Sequence, residues 1–214
     1  MLAMGNGLRQ LARITGGLTI VLSALACLSC HRADLPVLPI GGEFVLTDHN
    51  GQRFHLSSLR GKAVLMFFGY TSCPDACPTT LSKLSAVSRE LGETAKRVKT
   101  LYISVDPDRD SAAVMRADLA SFHLDVTGLT GTKAEIDRVV SLYGSSYRMI
   151  PTPDSAAKYT VAHDTTLYAL DESGRTRILF SYDATVREIV TGLRTILASH
   201  FWRSLTNGLR IQRL

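Results

Sequence analysis

The pattern of apolar and polar positions divides the chain into segments with two different periods. Two continuous apolar runs, at residues 63–68 and 98–105, have the length and composition of buried strands. Elsewhere apolar residues recur every three or four positions, as on the inner face of a helix. In chain order the pattern predicts a hairpin (44–56), a strand (63–68), a helix (78–91), a strand (98–105), a helix (111–122, with Val114, Leu119 and Phe122 inward), a short strand (126–129), a helix (133–143), a loop (145–158), a hairpin (159–182) and a helix (185–198).

This order of elements predicts an α/β fold. Strands separated by helices imply a parallel core with right-handed crossovers, and a closing hairpin adds antiparallel strands. The pair Asn50-Gly51 between two apolar runs is a strong hairpin signal, so an N-terminal β-hairpin extension precedes the core. We therefore expect a central mixed sheet flanked by helices.

Two cysteines, Cys73 and Cys77, lie where the first core strand leads into the first helix. A helix N-terminus offers unpaired N–H groups and partial positive charge, and both stabilise a thiolate. Pro78 suits the first helical position, which predicts Cys77 as the N-cap. Two sulfurs four residues apart on such a turn can close a disulfide or share one soft metal ion. Their position at the carboxyl end of the sheet is where open α/β folds place their sites.

Residues 1–30 predict an export or anchoring segment. Arg9 and Arg13 precede an uncharged stretch from Ile14 to Cys30. Three alternatives stay open: a lipoprotein-type signal lipidated at Cys27 or Cys30, a cleaved signal peptide, and an uncleaved membrane anchor. Each places the rest of the chain on the periplasmic side of a bacterial inner membrane. Only one cysteine pair then remains in the body of the protein, which favours a working site over structural staples.

Charge and length bound the remaining possibilities. The 214 residues carry a formal charge of +5, which falls to +3 without the two arginines of the leader, and no basic stripe with interleaved aromatic residues is present. Nucleic acid is therefore not an expected partner. After the leader we predict a tether at residues 31–41, a folded domain at 42–202 and a loose basic tail at 203–214.

The order of elements and four sequence motifs together resemble the Sco (SenC) family of copper proteins, within the thioredoxin-like superfamily. The resemblance covers about residues 41–202. Its motifs are Gly69 to Pro78 (GYTSCPDACP), Ser104 to Asp110 (SVDPDRD), Gly128 to Thr132 (GLTGT) and Val161 to His163 (VAH). The resemblance implies a thioredoxin-like fold and a copper ion, as Cu(I) or Cu(II), held by Cys73, Cys77 and His163.

The resemblance also implies a function. Family members help to assemble cytochrome c oxidase, so the expected role is delivery of copper to its dinuclear copper site. The expected partners are the copper-bearing subunit of the oxidase, a second copper chaperone as a candidate donor, and the membrane through the N-terminal segment. Two thiolates and one imidazole form a soft ligand set that suits copper, and Cu(I) especially. Zinc competes for such a set, but structural zinc usually takes four protein ligands.

Two features of the sequence leave alternatives open. Family members usually have an acid before this histidine and Ser or Thr after it, whereas here Ala162 precedes it and Asp164 follows. Asp106 and Asp110 follow a strand end, where they could cap the next helix and face solvent; the alternative is that Asp106 orients a ligand or the cysteine loop.

The competing function is enzymatic. A membrane-tethered thiol–disulfide reductase would use Cys73 as the attacking thiolate and Cys77 to resolve the mixed disulfide. Two features favour the chaperone. The cysteines are separated by three residues rather than the two usual in such reductases. The proline that those enzymes place just before the facing strand is also missing, because Pro153 lies well upstream of Val161.

Overall fold

The computed structural model describes residues 35–211, with side chains to residue 198. The predicted leader, including Cys27 and Cys30, lies outside the described residues. The strands are Val45–Asp48 (β1), Arg53–His55 (β2), Ala63–Gly69 (β3), Val98–Ser104 (β4), Val126–Thr130 (β5), Tyr147–Pro151 (β6), Tyr159–His163 (β7), Leu167–Leu170 (β8) and Thr176–Phe180 (β9). The α-helices are Ala76–Leu91 (α1), Ala112–Leu119 (α2), Lys133–Leu142 (α3) and Val186–Ile211 (α4), with 3-10 turns at Leu56–Leu59 and Gly92–Arg97.

Within the described part of the chain, seven strands form one mixed sheet in the order β2-β1-β5-β4-β3-β8-β9. Strands β3, β4 and β5 run parallel, whereas β8 is antiparallel to β3. The predicted N-terminal hairpin joins the same sheet, because β1 pairs antiparallel with β5 through Thr47 and Thr130. The α/β fold class and the hairpin extension are thus confirmed.

The sheet has an apolar layer on each face. Alternate residues of β3 point to opposite sides, so Leu65 and Phe67 pack with α1 and α4, while Met66 and Phe68 pack with α3. Every residue of β3 is buried, which explains why its sequence is a continuous apolar run. This central strand is therefore a rigid support for the turn that follows it.

The sequence prediction is wrong between residues 145 and 170. The predicted loop contains β6, which pairs antiparallel with β7 as a separate two-stranded sheet. The predicted strand 159–170 is broken after His163, and only its second half, β8, forms the closing hairpin with β9. Pro151 is tolerated at the end of β6 because β6 is an edge strand. His163 therefore lies in the small sheet, not in the closing hairpin.

Two further predictions need correction. In α2 the buried residues are Met115 and Leu119, whereas Val114 is exposed and the helix ends before Phe122. Residues 203–211, predicted as a loose tail, continue helix α4. Among residues 35–211, no helix combines the length and apolar character needed to cross a bilayer.

The part of the predicted tether that the structure describes is bound to the domain. The amide of Leu38 donates to the carbonyl of Thr176 at 2.9 Å. The buried Arg177 side chain donates to the carbonyls of Leu35 and Pro36 and to the carboxylate of Asp171. Residues 35–38 are therefore part of the fold. The division of the remaining N-terminal residues into leader and tether stays a prediction.

Candidate metal centre

The cysteine turn begins where β3 ends at Gly69, and helix α1 begins at Ala76. The N-cap is Asp75, two residues earlier than the predicted Cys77, so Pro78 occupies the third helical position. This position accommodates proline because the first N–H groups of a helix have no intrahelical partner. The correction places Cys77 inside the first turn of the helix and Cys73 on the turn before it.

The two cysteines differ in environment. Both carry free thiols, but Cys77 is only 3% exposed whereas Cys73 is half-buried. The backbone N–H of Cys77 donates to the Sγ of Cys73 at 3.5 Å. Burial raises the pKa of Cys77 to about 12. A metal ion would therefore displace a proton from Cys77 as it binds.

His163 reaches the cysteines from β7. Its Nε2 lies 3.8 Å from the Sγ of Cys77, and its Nδ1 lies 2.9 Å from the backbone carbonyl oxygen of Asp164. A carbonyl can only accept, so Nδ1 carries the proton and the lone pair of Nε2 faces the sulfur. The imidazole is thus held in the tautomer that a metal ligand needs.

Asp164, which follows His163 where family members usually have Ser or Thr, takes part in a hydrogen-bonded turn. The carboxylate of Asp164 accepts hydrogen bonds from the backbone N–H and the hydroxyl of Thr166, at 2.9 and 2.7 Å. This turn fixes the Asp164 carbonyl that orients the imidazole. The outer contact of His163 therefore comes from a backbone carbonyl, which the side chains of Asp164 and Thr166 hold in place.

The predicted ligands come together. The candidate ligand atoms of Cys73, Cys77 and His163 all lie within 4.8 Å of one another. Among the described residues, this is the group of side chains whose arrangement could hold a metal ion. Two sulfurs and one imidazole nitrogen fit a soft ion such as copper. Oxygen-seeking ions such as Mg²⁺ fit this donor set poorly.

Asp110 orients the cysteine turn. It is fully buried and accepts hydrogen bonds from the backbone N–H of Thr71 at 2.9 Å, from the Thr71 hydroxyl at 2.5 Å and from the Ser104 hydroxyl at 2.6 Å. The N-cap of α2 is Ser111, whose hydroxyl accepts from the N–H of Val114. The capping alternative for Asp110 is therefore wrong, and its carboxylate instead holds the turn two residues before Cys73.

Asp106 orients the strand that carries His163. It too is fully buried, and it accepts from the hydroxyl of Tyr159 at 2.7 Å and from the guanidinium of Arg109. Arg109 also donates to the carbonyls of Ala157 and Tyr159, and its guanidinium carbon lies 3.8 Å from the centre of the Tyr159 ring. One loop, residues 106–110, thus binds both the cysteine turn and the start of β7.

Tyr70 is a site residue that the sequence patterns did not single out. Its ring meets the imidazole of His163 edge to face, with centroids 5.8 Å apart, and its hydroxyl lies 2.8 Å from the hydroxyl of Thr160 on β7. Tyr70 therefore braces the histidine strand against the cysteine turn. Its position directly after the core strand, inside the cysteine motif, is the signal that could have identified it.

Comparison with known proteins points to one family. The family model described as SCO1/SenC matches residues 33–198. A SCO2-like protein of Rickettsia felis is 34% identical over 155 residues, which is 72% of this chain and 76% of the relative. The structure of Bradyrhizobium japonicum ScoI with copper bound superposes with a TM-score of 0.67 at 42% identity, covering 73% of this chain and 99% of that one. Arabidopsis thaliana ScoI with copper bound gives a TM-score of 0.68 at 32% identity, covering 73% and 98%.

Proposed function

Because this chain belongs to the SCO1/SenC family, we propose that it is a copper-binding chaperone that delivers copper to the dinuclear copper site of cytochrome c oxidase during assembly of that enzyme. The observation that carries the proposal is the convergence of Cys73, Cys77 and His163, with ligand atoms within 4.8 Å of one another. The copper-bound structures of two similar proteins support it.

The geometry suits an ion that is carried and then released. Cys77 is buried, while Cys73 and His163 are both half-buried, so the site opens towards the surface on the side of these two residues. Three protein ligands leave a coordination position open, through which a ligand of the partner can approach. Loading releases the thiol protons, and oxidation of both thiols to a disulfide would remove two of the three ligands.

The proposed location is the bacterial cell envelope, on the periplasmic side of the inner membrane. The support is the arrangement of Arg9 and Arg13 before an uncharged stretch, which is typical of an export signal or anchor. The proposed partners are the copper-bearing subunit of the oxidase and a second copper chaperone as donor. Zinc is the competing ion for this donor set, and a competition titration distinguishes the two.

A thiol–disulfide reductase is the second candidate function, favoured by the unequal exposure of the two cysteines. The Cys73 thiolate would attack a partner disulfide and release one partner thiolate. Cys77, after losing its proton, would then attack the Sγ of Cys73, forming the internal disulfide and releasing the second partner thiolate. The partner gains two electrons and two protons, and this protein loses them.

The test compares copper transfer with disulfide reduction in the same variants. Reduced protein is loaded with Cu(I) without oxygen, mixed with the apo form of an oxidase dinuclear-copper domain, and the absorption of the acceptor is followed. We expect one copper per chain, transfer to the acceptor, and loss of both in His163→Ala. A wild type that binds no copper would contradict the proposal. Disulfide reduction that survives His163→Ala, together with a wild type that transfers no copper to the acceptor, would establish the reductase instead.

A further inference from the structure

The hydroxyl of Tyr102 is a buried polar group outside the proposed ligand set of Cys73, Cys77 and His163. Tyr102 lies on β4 with no exposed surface, and its ring stacks on Phe67, with centroids 4.7 Å apart and an interplanar angle of 6°. This stacking fixes where the hydroxyl points. Within residues 35–198 the hydroxyl has no hydrogen-bond partner of normal geometry. Buried hydroxyls without a partner are rare in native proteins and call for an explanation.

The phenol and the Cys77 sulfur flank the same glycine. A Cβ atom placed on Gly69 would lie 2.5 Å from the Sγ of Cys77, 2.8 Å from Cε2 of Tyr102 and 3.4 Å from the Tyr102 hydroxyl oxygen. The absence of a side chain at Gly69 is therefore what allows the ring to approach the sulfur. Tyr102 and Cys77 also belong to the same apolar cluster, on the α1 face of the sheet.

No other described group competes strongly for this hydroxyl. Asp110 is the nearby buried carboxylate, but it already accepts three hydrogen bonds from Thr71 and Ser104. A phenol is protonated near neutral pH, so the hydroxyl is available as a donor. The sulfur of Cys77 is the acceptor that the geometry leaves.

We propose that the Tyr102 hydroxyl donates a hydrogen bond to the Sγ of Cys77 when this sulfur binds copper as a thiolate, and that this bond sets the balance between Cu(I) and Cu(II) affinity. The inference rests on the proposed copper site. A hydrogen bond draws electron density from the thiolate, and Cu(II) depends more than Cu(I) on that density. Tyr102 is thus a positioning residue that acts on copper through Cys77.

The test is Tyr102→Phe in the full chain, which keeps the stacked ring and removes only the hydroxyl. The matched control is Tyr143→Phe, since Tyr143 is equally buried but donates to the carbonyl of Gly42 at 3.2 Å in the other apolar layer. Each protein is loaded with copper, the thiolate-to-Cu(II) charge-transfer band is recorded, and both affinities are measured with competing chelators.

The expected result is one copper per chain in every protein, with the charge-transfer band of Tyr102→Phe at longer wavelength than that of the wild type. The ratio of Cu(II) to Cu(I) affinity should rise roughly tenfold, a shift of about 59 mV in the potential of the bound ion. The Tyr143→Phe variant should match the wild type in both readouts.

Three outcomes would overturn the inference. If the wild type binds no copper, both the proposed function and this inference are wrong. Copper binding by the wild type with an unchanged band and affinity ratio in Tyr102→Phe would overturn the inference alone. An equal shift in Tyr143→Phe would assign the effect to general loosening of the fold rather than to a bond with Cys77.

Discussion

Replacing Asp110 with alanine should loosen the cysteine turn and destabilise the whole domain. The Asp110 carboxylate is fully buried and accepts from the backbone N–H of Thr71, the Thr71 hydroxyl and the Ser104 hydroxyl. In Asp110→Ala the Thr71 hydroxyl can turn to water because Thr71 is only half-buried. The Thr71 N–H and the fully buried Ser104 hydroxyl would lose their acceptor.

The size of the effect follows from those two donors. A buried donor left without a partner costs about 1–3 kcal/mol, so the free energy of unfolding should fall by roughly 2–6 kcal/mol. Asp110→Asn keeps one acceptor oxygen and should cost less than the alanine variant. Copper affinity should fall by about 10- to 100-fold, the range typical of lost contacts to a metal ligand's support.

Urea unfolding of the reduced, metal-free protein measures the stability change. With a slope of about 2 kcal/mol per M, the midpoint of Asp110→Ala should fall by about 1–3 M. The matched control is Asp108→Ala in the same loop, because Asp108 is exposed and its replacement should change stability by no more than about 0.5 kcal/mol. Equal midpoints for the two alanine variants would refute the role assigned to Asp110.

Three other perturbations have defined outcomes. His163→Ala should lower copper affinity by more than about 100-fold, beyond the loss expected for an outer contact, while the urea midpoint changes little; a loss below tenfold in a chelator competition would argue against ligation. Gly69→Ala puts a methyl carbon 2.5 Å from the Sγ of Cys77, so it should lower the free energy of unfolding by about 1–3 kcal/mol and also lower copper affinity. Gly128→Ala puts a methyl carbon 2.7 Å from a methyl group of Leu119, so it should lower the free energy of unfolding by a similar amount but leave copper affinity unchanged. Burial alone would raise the pKa of Asp171, but hydrogen bonds from two arginines lower it, so its carboxylate stabilises the fold above the unfolded pKa of about 3.9. The free energy of unfolding of the wild type, measured with urea, should therefore fall as the pH drops below about 4. An equal fall in Asp171→Asn would contradict this assignment.

The parts of the fold that the sequence predicts well are those whose environment is uniform. Strand β3 is buried on both faces and therefore reads as one apolar run. The prediction that the cysteine pair lies at the junction of β3 and α1 is correct, but proline fits several positions of a first helical turn. The position of Pro78 therefore could not fix the N-cap, which is Asp75 rather than Cys77.

The parts that the sequence does not predict depend on contacts between distant residues. Strand β6 is an edge strand that pairs, within residues 35–211, with β7 alone, and its proline resembles a loop signal. The break after His163 contains neither Gly nor Pro and comes from the hydrogen bonds of Asp164 to Thr166.

The contacts of Asp106 and Asp110 likewise join residues far apart in the sequence. Asp110 binds Thr71, 39 positions earlier, and Asp106 binds Tyr159, 53 positions later. Periodicity and local capping rules contain no information about such pairs. The role proposed for His163 follows from resemblance to a family, since a single histidine on a strand carries no metal signal of its own.

X-ray absorption spectroscopy at the copper edge of the reduced, Cu(I)-loaded protein tests the central claim most directly. The three-residue site predicts two sulfur scatterers and one imidazole nitrogen for each copper, with the nitrogen lost in His163→Ala and one sulfur lost in Cys77→Ser. Coordination by sulfur alone in the wild type, or a spectrum that does not change in His163→Ala, would contradict the site formed by Cys73, Cys77 and His163.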